Sequence, residues 1–260
     1  MQLHFDYQMK LFYSQPVKRA SFTIKCIPKD TARQHLVEKE IEILPKTPYS
    51  TGEDSYKNRM IYGRVDESHK LFRYRIRGSV EIFSSPYEEK AEINKLGIYR
   101  YPFGKCRPGE ELKSYFAGLS LPQNADSHEI CSFLMHRLHE DFSYVPARTQ
   151  VDTSAEEAWK MKMGVCQDYA HIFICLLRMA KIPARYVCGF LLGEGASHAW
   201  VEACCNGKWV GYDPTHDRKV QEQYIKLGDG RDAAECAINR GIILGGGDQT
   251  QEVIVKVTEQ

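Results

Sequence analysis

The chain has 260 residues, enough to bury a substantial core as one large or two modest domains, and sets 35 lysines and arginines against 34 aspartates and glutamates. So weak a summed charge gives no electrostatic case for nucleic acid or an anionic membrane as a partner. The opening MQLHFDYQMKLFYSQPVKRA lacks the continuous apolar run of a signal peptide, and no stretch approaches the roughly 20 apolar residues of a membrane span, so a soluble, cytoplasmic protein is expected.

Residues 1–105 read as strands. Leu3, Phe5 and Tyr7 alternate with polar neighbours, as do Phe22, Ile24 and Cys26, then Phe72, Tyr74 and Ile76, then Val80 and Ile82. Pro16, Pro28 and Gly78 are read as turns between them. The pattern predicts an antiparallel sheet or a β-sandwich-like domain, which carries no phosphate loop and no metal-spaced cluster and so serves packing or substrate positioning. Pro102, Pro108 and Pro122 mark a change of pattern, and residues 106–260 form the second predicted domain.

That second part opens with helices. Asp126 and Glu129 make a capping box ahead of Ile130, Phe133, Leu134 and Leu138, which share one face, and Ser154 with Glu157 repeats the device before Ala158 and Trp159. His136 and His139 read as a solvated helix face, because no third ligand completes a metal site. The stretch GVCQDYAHIFICLLRMAKIP, from Gly164 to Pro183, then predicts a helix over residues 166–180 whose apolar residues cover almost its whole circumference, so it belongs in the centre of the domain. Gly164 lets the chain turn in and Pro183 ends the helix. Cys166 falls in the first turn, where unpaired N–H groups and the positive end of the dipole favour a thiolate and could hold an oxyanion. Most cysteines beside a buried helix are simply small apolar residues, and Cys175 and Cys188 are read that way. The nine cysteines lack C-x-x-C pairs or regular spacing, which points to reduced thiols and not to a zinc ribbon or disulfide framework.

SHAWVEACCNGKWVGYDP supplies a partner for Cys166. Asn206-Gly207 between two strand-like runs predicts a hairpin with a two-residue type I′ turn. Cys205 then faces Lys208, Trp200 lies opposite Asp213, and His198 sits diagonal to Asp213 on the same face. Ala199, Val201, Ala203, Val210 and Tyr212 form the apolar face, and a slip of one residue would separate His198 from Asp213. An imidazole paired with a carboxylate is the base and orienter of a nucleophilic triad: His198 exchanges the Cys166 proton, and Asp213 sets its tautomer.

GVCQDYAHIFICLLRMAKIPARYVCGFLL, SHAWVEAC and WVGYDPT resemble the three signature blocks of the bacterial transglutaminase-like superfamily, in family order across residues 144–215. The resemblance implies an α+β fold in which an N-terminal β-rich domain precedes a papain-like, transglutaminase-like core, with a central buried helix packed on an antiparallel sheet. It also implies Cys166, His198 and Asp213 as the catalytic triad and leaves Asp168, Arg185 and Tyr186 as structural supports. Towards the C-terminus it keeps Gly230, Arg231 and Asp232 and a later Arg240-Gly241, but the residues between them differ from the family's form. Val253, Val255 and Val257 alternate as a closing strand. Tyr144, Gln150 and Trp159 all remain open as a second oxyanion donor.

Three functions survive: a cysteine hydrolase acting on a peptide or amide through a thioester, a transferase in which an amine replaces water, and a non-catalytic peptide-binding module. The hydrolase leads, because all three triad residues are present. The expected partner is a peptide, protein or small amide substrate, with no cofactor or metal and no calcium loop of the D-x-D-x-D-G kind.

Overall fold

In the computed structural model, which describes residues 1–83 and 89–259, Leu3, Phe5, Tyr7 and Met9 share the buried face of one strand of 23 residues, β1 (Gln2–Ile24). It is followed by β2 (Gln34–Leu44), β3 (Tyr49–Glu53), β4 (Arg59–Val65), β5 (His69–Ile82) and the short β6 (Glu89–Lys90). The helical part holds α1 (Gly97–Arg100), α2 (Glu110–Gly118), α3 (Ser127–Asp141), β7 (Ser143–Tyr144), α4 (Ala155–Met161), β8 (Met163–Gly164) and α5 (Cys166–Met179). The chain continues through β9 (Ala184–Leu191), β10 (Gly193–Gly195), β11 (His198–Cys205), β12 (Lys208–Asp213) and β13 (Arg218–Lys219). It ends with β14 (Tyr224–Gly230), β15 (Asn239–Gly245) and β16 (Gln249–Glu259).

Of the sheet or sandwich open to the sequence, hydrogen bonding shows one eight-stranded set organised on β1, which pairs with β4, β5, β15 and β16. A strand this long serves different partners along its length. Pro16 is not a turn but lies inside β1, where the pairing with β5 shifts register between Phe12 and Val17; a residue with no N–H is tolerated at such an irregularity. Gly78 is likewise interior to β5. A Cβ there would come within 2.1 Å of the Glu38 carbonyl oxygen, so glycine admits β2 at its register shift between Leu36 and Glu38. Val253, Val255 and Val257 do form a strand, but it pairs with β1, so the last two strands of the predicted second domain join the first sheet.

The second sheet has the order β13-β12-β11-β9-β14, with β6 added to β12. Both predicted capping boxes form, at Asp126 with Glu129 and at Ser154 with Glu157. Helix α5 packs against β9 and β11 and against α3 and α4, with Ile172, Phe173, Ile174, Leu176 and Leu177 fully buried. Its first turn is tied by Asp168, whose carboxylate accepts the Val165 N–H at 2.8 Å and the Thr149 hydroxyl at 2.6 Å.

Buried polar side chains join the sheets. Arg185 Nε lies 2.5 Å from Glu202, Lys226 Nζ lies 2.9 Å from both Glu202 and Asp229, and Lys29, from the loop after β1, reaches Asp229 at 2.8 Å. Gln34 of β2 exchanges two hydrogen bonds of 2.8 Å with the Lys226 backbone, and Asn58 brackets the Asp229 backbone at 2.8 and 2.9 Å. The backbone edge of β14 is thereby covered by side chains of the first layer. Arg185 is therefore structural, as expected, and is buried.

Candidate active site

The site is built from the first residue of α5 and the two strands of the predicted hairpin. Asn206 and Gly207 both have positive φ, 52° and 78°, as a type I′ turn requires, and the ladder pairs Cys205 with Lys208 and Val201 with Tyr212. That register brings His198 Nε2 within 2.7 Å of Asp213 Oδ2. The Cys166 sulfur is close enough to the same imidazole to raise its pKa, and with Nε2 engaged by Asp213 the nitrogen left for sulfur is Nδ1. All three predicted residues thus meet in space.

Gly164 has a different purpose from the one read in the sequence. A Cβ on it would lie 2.4 Å from Asp168 Oδ2, so the missing side chain makes room for the carboxylate that ties the first turn of α5. Burial pushes the Asp168 carboxyl up, against the hydrogen bonds it accepts from Thr149 and Val165. Cys166 itself remains partly exposed; of the nine free thiols only Cys166 and Cys204 are not buried.

The electrostatics favour a charged imidazole. Burial works against protonated His198, but hydrogen bonds and charge from Asp213 and Cys166 outweigh it and raise its pKa to about 9. Asp213 is fully buried, which opposes its ionisation, yet hydrogen bonds from His198, His216 and Tyr224 hold it well below the ordinary carboxylate range. Its Oδ2 accepts from His198 Nε2, His216 Nδ1 and the Tyr224 hydroxyl, each at 2.7 Å, and its Oδ1 accepts the Thr215 N–H at 3.0 Å. Tyr224 in turn accepts from Arg218 Nε at 2.8 Å. The ligand atoms of His198, Asp213 and His216 lie within 4.8 Å of one another and could hold a metal ion, which would need the His198 Nε2 proton to leave.

Residues 117–214 match the transglutaminase-like superfamily, and residues 3–81 match the bacterial transglutaminase-like N-terminal region. The chain belongs to the transglutaminase-like superfamily. This transglutaminase-like chain is 28% identical over 252 residues to an uncharacterised protein of Mycobacterium bovis, covering 83% of itself and 79% of that protein. An uncharacterised Mycobacterium leprae protein is 42% identical over 125 residues, and the chain spans 44% of its length. A protein-glutamine gamma-glutamyltransferase of Pseudomonas aeruginosa is 31% identical over 121 residues, 40% of this chain and 18% of that one. In structure the chain shares the fold of a candidate cysteine protease from Cytophaga hutchinsonii, with a TM-score of 0.82, 20% identity, and coverage of 99% of this chain and 90% of that one.

Among the three residues left open as oxyanion donors, Trp159 of the transglutaminase-like core is buried against Phe142 and Tyr115, and Gln150 lies exposed with its N–H bonded to Thr153. Tyr144 is close enough to Cys166 to feel its charge: burial, then the charge of that sulfur, raises its phenol. His136 and His139 do not share a partner, since His136 bonds Asp217 at 2.7 Å and His139 faces the Pro214 carbonyl at 3.2 Å. Sequence reasoning missed His216 and Tyr224. The run DPTH places a histidine three residues beyond Asp213 and could have flagged the first, whereas Tyr224 arrives from another strand and leaves no local signal.

Proposed function

We propose that this protein is a cysteine-dependent acyl-transfer enzyme that cleaves a peptide or amide bond through a thioester on Cys166. The observation that carries the reading is a single imidazole, His198, hydrogen-bonded to a buried carboxylate and close to a thiol at the start of a buried helix. Sγ attacks the carbonyl carbon, and the carbonyl electron pair moves to oxygen, where the backbone N–H of Cys166 receives it; a residue in the first helical turn has no intrahelical acceptor for that N–H. The phenol of Tyr144 is the second donor. Collapse of the adduct breaks the C–N bond, and the proton on His198 Nδ1 passes to the leaving amine. Water then gives a proton back to His198 as it attacks the thioester, which releases the acid and restores the thiolate and imidazolium. Asp213 stays ionised throughout and holds the ring.

Amine transfer is the second reading, favoured by the likeness to the Pseudomonas transferase over 121 residues. The chemistry is the same up to the thioester, and only the entering nucleophile differs.

Thiol labelling tests the common step. At about pH 7 iodoacetamide should modify Cys166 well ahead of Cys204, the internal comparison, and His198→Ala should slow that labelling about a hundredfold. Equal labelling of the two thiols, or no effect of His198→Ala, refutes the assignment. Profiling on peptide and acyl-amide libraries, with and without a primary amine, then separates hydrolysis from transfer, because an amine-linked product defines the transferase.

A further inference from the structure

A cleft of about 590 Å³ is lined by the chain neighbours of Cys166 and His198. One wall carries Gln167, next to Cys166, and Ser197, next to His198, together with Cys188, which is close enough to Cys166 to feel its charge. The first sheet contributes Tyr7 of β1 and Val253 of β16 to the lining, which also includes four alanines. The cleft is charged in one sense only. Lys105 and Arg240 line it, and no carboxylate does among the described residues.

Neither cation is neutralised there. Lys105 Nζ donates to the Val151 carbonyl and Arg240 to the Ala234 carbonyl, both uncharged acceptors, and neither forms an ion pair among the described residues. The acids near Lys105, Asp168 and Asp232, are buried and already accept hydrogen bonds, Asp232 from the Lys105 N–H at 3.1 Å and the Ala234 N–H at 2.9 Å. Two cations without an ion-pair partner, one of them a planar guanidinium, on one cleft can hold a carboxylate between them. In a chain whose charges otherwise nearly cancel, this is local design of the cleft and not an overall field.

Resting on the reading of Cys166 as nucleophile, we infer that the cleft selects substrates bearing a carboxylate beside the scissile carbonyl, held by Lys105 and Arg240. The group is either an acidic side chain or a free carboxyl terminus.

Competitive alkylation of the full chain tests this. The rates of Cys166 labelling by iodoacetate and by iodoacetamide are compared in the wild type and in the Lys105→Gln/Arg240→Gln variant. The His198 imidazolium itself draws anionic reagents, so the decisive quantity is the change in the ratio, expected to fall about tenfold in the variant and to fall further in Arg240→Glu. An unchanged ratio overturns the carboxylate subsite, while slow labelling by both reagents overturns the nucleophile reading instead. Binding to Cys166→Ala, which needs no chemistry, supplies the second measurement. One short blocked peptide is used in glutamyl and glutaminyl versions, each with a free or an amidated terminus. Loss of the glutamyl preference on removing the two cations identifies the side chain, loss of the free-terminus preference identifies the terminus, and no loss of either overturns the inference.

Discussion

Asp213 and Asp229 make an instructive pair. Both carboxylates are buried, at 0% and 2% exposure, both accept several partners, and both are held below the ordinary range against the cost of burial. The partners differ. Asp213 is held by two histidines and a tyrosine, whereas Asp229 is held by the charges of Arg185, Lys226 and Lys29. Burial weakens protonated Arg185 and Lys226, but the surrounding carboxylates outweigh it and keep both cations charged. One buried acid thus sits among neutral donors and an imidazole, and the other among permanent cations. Depth of burial is the same, so the identity of the partner decides whether a carboxylate orients a group poised for proton transfer, as proposed for Asp213, or is locked in a network of fixed charges.

The sharpest way to break the comparison is to swap the charge at each centre. Asp213→Asn should lower turnover by about 10⁴ through loss of the imidazole's tautomer and charge, an effect on activity that exceeds the accompanying loss of stability. Glu202→Ala, which strips Arg185 and Lys226 of a buried counter-charge, should do the reverse. It should cost about 3–5 kcal/mol in denaturant unfolding while leaving the Cys166 labelling rate nearly intact below the melting temperature. Comparable losses of activity in both variants would erase the distinction.

Acidity separates the centres next. His198, with its pKa raised from 6.5 to about 9, contributes stability that is complete below about pH 6.5 and is lost as pH rises through 9. Asp213, depressed from 3.8, contributes stability that is complete above that value and is lost on further acidification. Amide cleavage, which needs the imidazolium as acid, should therefore decline as pH rises through about 9, and Asp213→Asn should draw that decline downward toward 6.5. A pH–rate profile checks both. The smallest effect belongs to His216, half-exposed and one of three donors to Asp213 Oδ2. His216→Ala should slow turnover only about two- to fivefold and shift the same alkaline decline slightly. A thousandfold loss would put His216 among the reacting groups.

Local rules carried the sequence far where one segment contained its own geometry. The Asn206-Gly207 turn set the hairpin register, and with it the encounter of His198 and Asp213; the capping boxes at Asp126 and Ser154 set two helix starts. Alternation told which face of a strand is buried but not which strand lies beside it, so the pairing of β16 with β1 was not legible. Gly78, misread as a turn, and Gly164 are needed for close approaches to Glu38 and Asp168, which depend on atoms brought near by folding. Tyr224 and the paired cations of the cleft were invisible for the same reason. Lys105 and Arg240 are 135 residues apart in the chain.

Strand β10, three residues before His198, pairs with β16 through Gly193 to Val257 and Gly195 to Val255. β16 in turn lies against β1, which precedes every other described strand in the chain. During synthesis β1 waits for a neighbour that leaves the ribosome after every other described strand, and the loop leading to the histidine waits with it. Helix α5 and the hairpin can assemble earlier, from contacts nearer in the chain. Emergence of β16 is the event that braces the loop before His198, so a nascent chain holds Cys166 in its helix before it holds a finished cleft.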